Sequence, residues 1–216
     1  MDKNIPIDQN MIDYIFSHSE SLHKVQKKIL KFNDNLGKAK RLQISILQAN
    51  FLQFLIKAHK FKSCLEVGTF TGYSTLSMAL SLPKNGKVYA IDKDIKTNKI
   101  ALNFFKEAKV NNKIFIETNN GINALKKLVK SKKKFDLILI DADKESYIKY
   151  FNYAVQLISK RGIILIDNTL WKGEVLNQNV NDKLTLKIKK FNEYIKKKRI
   201  NKYILPLGDG FTICWK

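Results

Sequence analysis

Residues 135–171 constrain the fold more than any other stretch, because they hold two buried strands and the connection between them. Leu137–Ile140 and Ile163–Ile166 are short, unbroken apolar runs rich in β-branched residues, the pattern of strands covered on both faces. Lys144 to Ser159 has the length and periodicity of a crossover helix, so the two strands are expected to be parallel neighbours. Each strand ends abruptly in acid: Asp141 and Asp143 after the first, Asp167 with Asn168 after the second. Adjacent parallel strands bring their carboxyl ends together, and that edge of an open α/β sheet is where ligands bind.

Asp141, Asp167 and Asn168 are thereby brought within reach of one point. Two carboxylates and an amide oxygen are hard ligands, suited to Mg²⁺, with Ca²⁺ or Mn²⁺ as substitutes. One Asp after a strand more simply caps the next helix. Acids at two adjacent strand ends, joined by an amide, favour the metal.

Elsewhere the pattern from Lys62 onward alternates strand and helix. Strands are expected at Ser63–Val67, Val88–Ile91 and Lys113–Glu117, with helices following through Leu80, over Lys96 to Ala108 and over Ile122–Val129. A last helix over Lys183 to Lys197 leads to strand Tyr203–Leu205, a Gly-rich turn, and Phe211–Trp215 as an antiparallel hairpin partner. This predicts an α/β fold: a doubly wound, mostly parallel seven-stranded sheet with an antiparallel last strand. Ahead of it, residues 8–30 and Ser45 to His59 read as helices, separated by a polar turn at Asn33 to Lys40. His18, His23 and His59 fall in these helices with no acid or nucleophile placed to serve them. With no repeat and no linker, residues 1–216 read as one domain, a helical extension at 1–41 preceding the core at 42–216.

The first strand-to-helix turn carries Glu66, Gly68, Thr69, Gly72 and Ser74. Its glycines are too widely set for a dinucleotide fingerprint or a Walker loop. The looser turn suits a nucleoside with an amino-acid tail: Ser74 and free helix-start amides for the carboxylate, Glu66 for the ammonium. Asp92 ends the next strand near the spacing at which an acid receives ribose hydroxyls. The simpler alternative is a tight turn in which Gly68 and Gly72 serve backbone geometry alone.

The formal charge of +21 would suit a polyanion partner. Only Arg41, Arg161 and Arg199 carry the guanidinium that base and phosphate readers draw on, and the lysines are spread over helix faces. Solvated lysine faces are the preferred reading, with a nucleic-acid surface second. Cys64 and Cys214 lie in or beside strands without a ligand-spaced partner and are expected as reduced core residues. No apolar run approaches the ~20 residues that span a bilayer. The N-terminus is polar where a signal peptide is apolar, so a cytoplasmic protein without membrane partner is expected.

Four segments together resemble the S-adenosylmethionine-dependent O-methyltransferases of the caffeoyl-CoA and catechol type, in particular their bacterial small-molecule branch. They are LEVGTFTGYSTLSMALSLPKNGKVYAID (65–92), FDLILIDADKESYIKYF (135–151), GIILIDNTLWKGEV (162–175) and LPLGDGFTIC (205–214). The resemblance implies a class I, Rossmann-like methyltransferase fold, a homodimer, S-adenosyl-L-methionine as cofactor and a bound divalent cation. It implies cofactor contacts at Glu66, Gly68, Thr69, Ser74, Asp92, Gly121 and Asp141. Metal ligands are implied at Asp141, Asp167 and Asn168, and a catalytic base at Lys144. Two segments depart from the family pattern: Asn119-Asn120-Gly121 replaces a Gly-x-Ala, and Gln48-Ala49-Asn50 replaces a glycine-bearing segment.

The expected acceptor is a small aromatic with vicinal hydroxyls, whose two oxygens can chelate one cation. Trp171 is a candidate wall for its ring, or else a core tryptophan. The alternative acceptor is a hydroxylated uridine of tRNA, which the charge would suit. Against it stand Asp143 and Leu170-Trp171, which such relatives tend to lack.

Overall fold

The computed structural model describes residues 5–216, so the reading of the N-terminal decapeptide lies partly outside it. Helices α1 (Gln9–Ser17), α2 (Lys24–Asp34) and α3 (Ile46–His59) come first. There follow β1 (Ser63–Val67), α4 (Tyr73–Ser81), β2 (Lys87–Asp92), α5 (Ile95–Glu107), β3 (Ile114–Thr118), α6 (Gly121–Lys130) and β4 (Phe135–Ile140). The chain ends with α7 (Tyr147–Leu157), β5 (Ile158–Ile166), α8 (Lys183–Lys196), β6 (Asn201–Leu205) and β7 (Phe211–Trp215).

The strands form one sheet in the order β3-β2-β1-β4-β5-β7-β6. All neighbours are parallel except β7, which runs antiparallel to both β5 and β6. Strand order reverses between β1 and β4, which makes their carboxyl ends the switch point of the sheet. The ladder continues one residue past three strands: Gly68 N donates to Ile91 O (2.9 Å), Asp141 N to Val67 O (2.9 Å) and Asp167 N to Ile140 O (3.0 Å). Main-chain bonding therefore sets Gly68, Asp141 and Asp167 in one row.

Each face of the sheet has its own core. Leu137, Leu139 and Leu165 point into one with α2, α3 and α4; Ile138, Ile140, Ile164 and Ile166 point into the other with α6, α7 and α8. This alternation explains why Leu137–Ile140 and Ile163–Ile166 lack polar residues: each face of each run is covered. Cys64 and Cys214 are buried free thiols. No helix among the described residues is long and apolar enough to cross a membrane.

Three expectations need correction. Residues 8–30 are two helices, because His23 starts α2 through a capping box, its ring accepting from Val25 N while Gln26 accepts from His23 N. His23 is thus a structural cap. The crossover helix is shorter than Lys144 to Ser159: it opens with a 3-10 turn at Lys144–Ser146 and ends at Leu157, where β5 begins by pairing Ile158 with Phe135. Finally, Asn33 to Lys40, read as a polar turn, begins within the last residues of α2 and ends within a 3-10 helix, Gly37–Leu42.

Candidate active site

At the carboxyl edge, Asp141 follows β4 and Asp167 follows β5, so parallel pairing sets them beside each other. Asn168 then turns the chain at φ 59°, a left-handed conformation that Asn tolerates better than most residues. Into this group reaches Lys144 from the 3-10 turn. Its Nζ donates to Asp141 Oδ1 (3.1 Å), to Tyr147 Oη (2.7 Å) and to Asn168 Oδ1. Tyr147 passes the chain on, donating to Asp167 O at 3.2 Å. Burial and then the charges of Asp141 and Asp167 push the Tyr147 phenol well above its usual range, so it stays a donor.

Asp167 is 2% exposed. Its Oδ1 accepts from Gln48 Nε2 (2.6 Å) and from Asn168 N (2.7 Å). Burial, and next the charge of Asp141, push its carboxyl well above the ordinary range. The donor set fits a hard divalent cation: two carboxylates that repel each other, an amide oxygen, and an ammonium already lodged between Asp141 and Asn168. Among the described residues no three His, Cys, Asp or Glu gather as a metal cluster. The set reaches three only by counting the Asn168 amide.

The loop after β1 is the second half of the site. Gly68 sits at φ 97°, and a Cβ there would fall 1.9 Å from Asp141 O. Gly72 caps α4 at φ 88° against the Phe105 ring. Asp92 is not the cap of α5, which is Asp94. Instead Asp92 Oδ2 accepts from Thr69 N and Phe70 N (both 2.9 Å), and Oδ1 from Asp94 N (2.9 Å). A carboxylate offers about four lone-pair sites, so three amides leave it roughly one for a ligand.

Glu66 is fully buried, and Thr75 Oγ1 donates to its Oε2. Burial pushes its carboxyl up to about 8, outweighing the hydrogen bonds from Ser74 and Thr75. Glu66 Oε1, Thr69 Oγ1 and Thr71 Oγ1 are buried without partners. Unpaired polar atoms concentrated around one loop are a cost that a polar ligand would relieve.

The Asp143 side chain makes no hydrogen bond to Lys144 or the trio. It accepts from Ser146 N (3.0 Å) and from the Tyr150 hydroxyl, and the Tyr150 ring lies where a Cβ on Gly121 would be. Gly121 opens α6, which Asn120 caps. Trp171 is half-buried at φ 48° and packs on the core that holds α7 and α8, so packing claims part of its ring.

Sequence reasoning missed Tyr147 and Asp209, and it set Gln48 apart only as a departure from the family pattern that leaves the metal positions untouched, which the Gln48–Asp167 bond corrects. Asp209 lies in the β6–β7 loop and accepts from Lys172 N, while Asn168 Nδ2 points to its Oδ2 at 3.5 Å. Gln48 had a readable signal: Ser45-x-x-Gln48 is a capping box, and Ser45 Oγ and Gln48 Oε1 make it.

This strand order, with an acid-bearing switch point and a glycine loop after β1, defines a class I methyltransferase. The chain is narrower than that in its relationships, and it belongs to the O-methyltransferase family, whose profile matches residues 16–216. It is 36% identical over 188 residues to a caffeoyl-CoA O-methyltransferase of Populus kitakamiensis, covering 82% of this chain and 80% of that one. It is 31% identical to catechol O-methyltransferase domain-containing protein 1 of Mus musculus, covering 98% and 81%. The crystal structure of an O-methyltransferase from Bacillus cereus in complex with SAH superposes with a TM-score of 0.84. Its identity is 28%, over 94% of this chain and 96% of that one.

Proposed function

We propose that the chain transfers a methyl group from S-adenosyl-L-methionine to one hydroxyl of a small vicinal dihydroxy aromatic, with a divalent cation, Mg²⁺ first, bound at Asp141, Asp167 and Asn168. The observation that carries this reading is the Lys144 ammonium lodged between Asp141 Oδ1 and Asn168 Oδ1, which marks a place built for positive charge. When bound there, the cation supplies a Lewis acid that gathers two oxygens and eases loss of a phenolic proton.

The residues divide the remaining work. Lys144 is placed to take that proton as a neutral amine, since its Nζ reaches both the Asp141 and Asn168 oxygens and a cation held there would disfavour its own charge. Tyr147 steadies Lys144 and the main chain at Asp167. Asp92 clamps the Thr69 and Phe70 amides, and Glu66 with Ser74 and Thr75 sits beneath the loop that would seat the methyl donor. The acceptor oxygen takes the methyl as the carbon–sulfur bond breaks, its electron pair staying on sulfur.

Position argues for the small acceptor over tRNA. Lys132–Lys134 precede β4 and Lys196–Lys198 precede β6, so both exposed clusters lie at the amino edge of the sheet. Clefts of about 610 and about 410 Å³ flanking Trp215, lined by Lys198, Arg199, Lys160 and Arg161, lie at that edge too. A six-residue strand such as β4 separates it from the oxygen trio by roughly 20 Å. The test is methyl transfer to a catechol and to bulk tRNA, each with and without excess chelator. Catechol turnover that vanishes with chelator and returns with Mg²⁺ supports the reading; turnover that persists in chelator overturns the cation's part. Turnover on tRNA alone, falling steeply with salt, overturns the acceptor.

The same reading makes the chain a homodimer through its N-terminal helices. α1 buries none of its residues, and Tyr14 on α1, Leu42 and Phe54 on α3 stand exposed. Light scattering at micromolar concentration would read two chains per particle, and a monomer would refute it.

A further inference from the structure

Gln48 belongs to the first turn of α3, far in sequence from either acid, yet it is 2% exposed and touches the trio directly. Both ends of its amide are used. Oε1 accepts from Ser45 N at 2.8 Å, and Nε2 donates to Asp167 Oδ1 at 2.6 Å. Turning the amide over would set an NH₂ against the Ser45 N–H and an oxygen against a carboxylate, so the orientation is fixed by its partners. The β6–β7 loop closes the third side: a Cβ on Gly208 would fall 2.5 Å from Gln48 Oε1.

The consequence falls on Asp167. Its Oδ1 takes the Gln48 amide and the Asn168 main-chain N–H together, and among the described residues no hydrogen bond reaches Oδ2. One oxygen is thereby held by the scaffold and the other is left for a ligand. We infer that Gln48 is a positioning residue for the cation: it fixes the rotation of the Asp167 carboxylate, and so ties the start of α3 to the affinity of the oxygen trio. This rests on the cation-dependent reading above. Outer partners of this kind typically change metal affinity by about 10–100-fold when lost.

The experiment is calorimetric titration of the full chain with Mn²⁺ and, separately, with S-adenosyl-L-methionine, for wild type, Gln48→Met and Ser45→Ala. Ser45→Ala weakens the same helix start, by losing the hydroxyl that accepts from Gln48 N, but leaves the Gln48–Asp167 bond. Gln48→Met is expected to bind Mn²⁺ about 10–100-fold more weakly, with donor affinity within about twofold of wild type. Ser45→Ala is expected to melt earlier and to keep wild-type Mn²⁺ affinity. Equal Mn²⁺ affinity in wild type and Gln48→Met would overturn the inference. So would equal losses in the two variants, since the helix start would then be responsible. If wild type itself takes up no Mn²⁺, the cation-dependent reading fails first, an outcome distinct from the other two.

Discussion

The two halves of the carboxyl edge are held in different ways. Beside β1, a carboxylate grips main-chain amides: Asp92 fastens Thr69, Phe70 and Asp94. Beside β4 and β5, two of the trio's oxygens, on Asp141 and Asn168, share one flexible side chain, Lys144. A main-chain clamp is set by the fold and stays when a ligand arrives. A lysine reaches its partners on a four-carbon stem and can leave them. Under the proposed chemistry the donor side is therefore preformed, whereas the acceptor side is exchangeable, its internal cation standing where an external one is expected.

The largest expected effect breaks the exchangeable half. Asp141→Ala should lower catechol turnover by at least ~10²-fold, because it removes both a proposed ligand and a Lys144 partner. Asp143→Ala, which loses only a turn cap and a Tyr150 contact, should cost about tenfold or less. Steady-state kinetics of the pair decides, and equal losses would erase the distinction. Next comes the preformed half: Asp92→Ala should weaken S-adenosyl-L-methionine binding by about 1–3 kcal/mol and leave Mn²⁺ affinity alone. Calorimetry showing no change for the donor would mean that Asp92 only shapes the loop.

The smallest effect concerns Glu66, and its sign follows from the proton count. The folded chain keeps the Glu66 proton up to about 8, whereas an ordinary glutamate loses it near 4.5. Between those values the folded state binds more protons than the unfolded state, so stability falls as pH rises. The slope approaches about 1.4 kcal/mol per pH unit. Denaturant titrations at pH 5.5 and 6.5 should show wild type losing about that much more than Glu66→Gln. Parallel behaviour of the two would mean that Glu66 is ionised in the fold.

Legibility followed the same division. Strands β1 and β7 have the bounds that their apolar runs imply, and the row of Gly68, Asp141 and Asp167 follows from parallel pairing alone. What was hidden depended on side chains meeting from distant elements. The break between α1 and α2 rests on a histidine cap, a residue outside the usual N-cap set. The start of β5 at Ile158 reads as helix tail, since an apolar residue one turn beyond Ala154 suits either state. Gln48 announces a helix start but not its second partner 119 residues away.

Gly68 has a further meaning for the reaction. The end of β1 lies against the carbonyl of Asp141 with a hydrogen where a methyl would otherwise project. Under the proposed chemistry the donor rests on one of these main chains and the acceptor is organised from the other. The gap a methyl group must cross is then gauged by a single backbone contact inside the sheet, not by the grip of either ligand. Even an alanine there would act as a spacer, parting the two seats without touching a reacting group, and transfer across a widened gap loses the alignment that makes it fast.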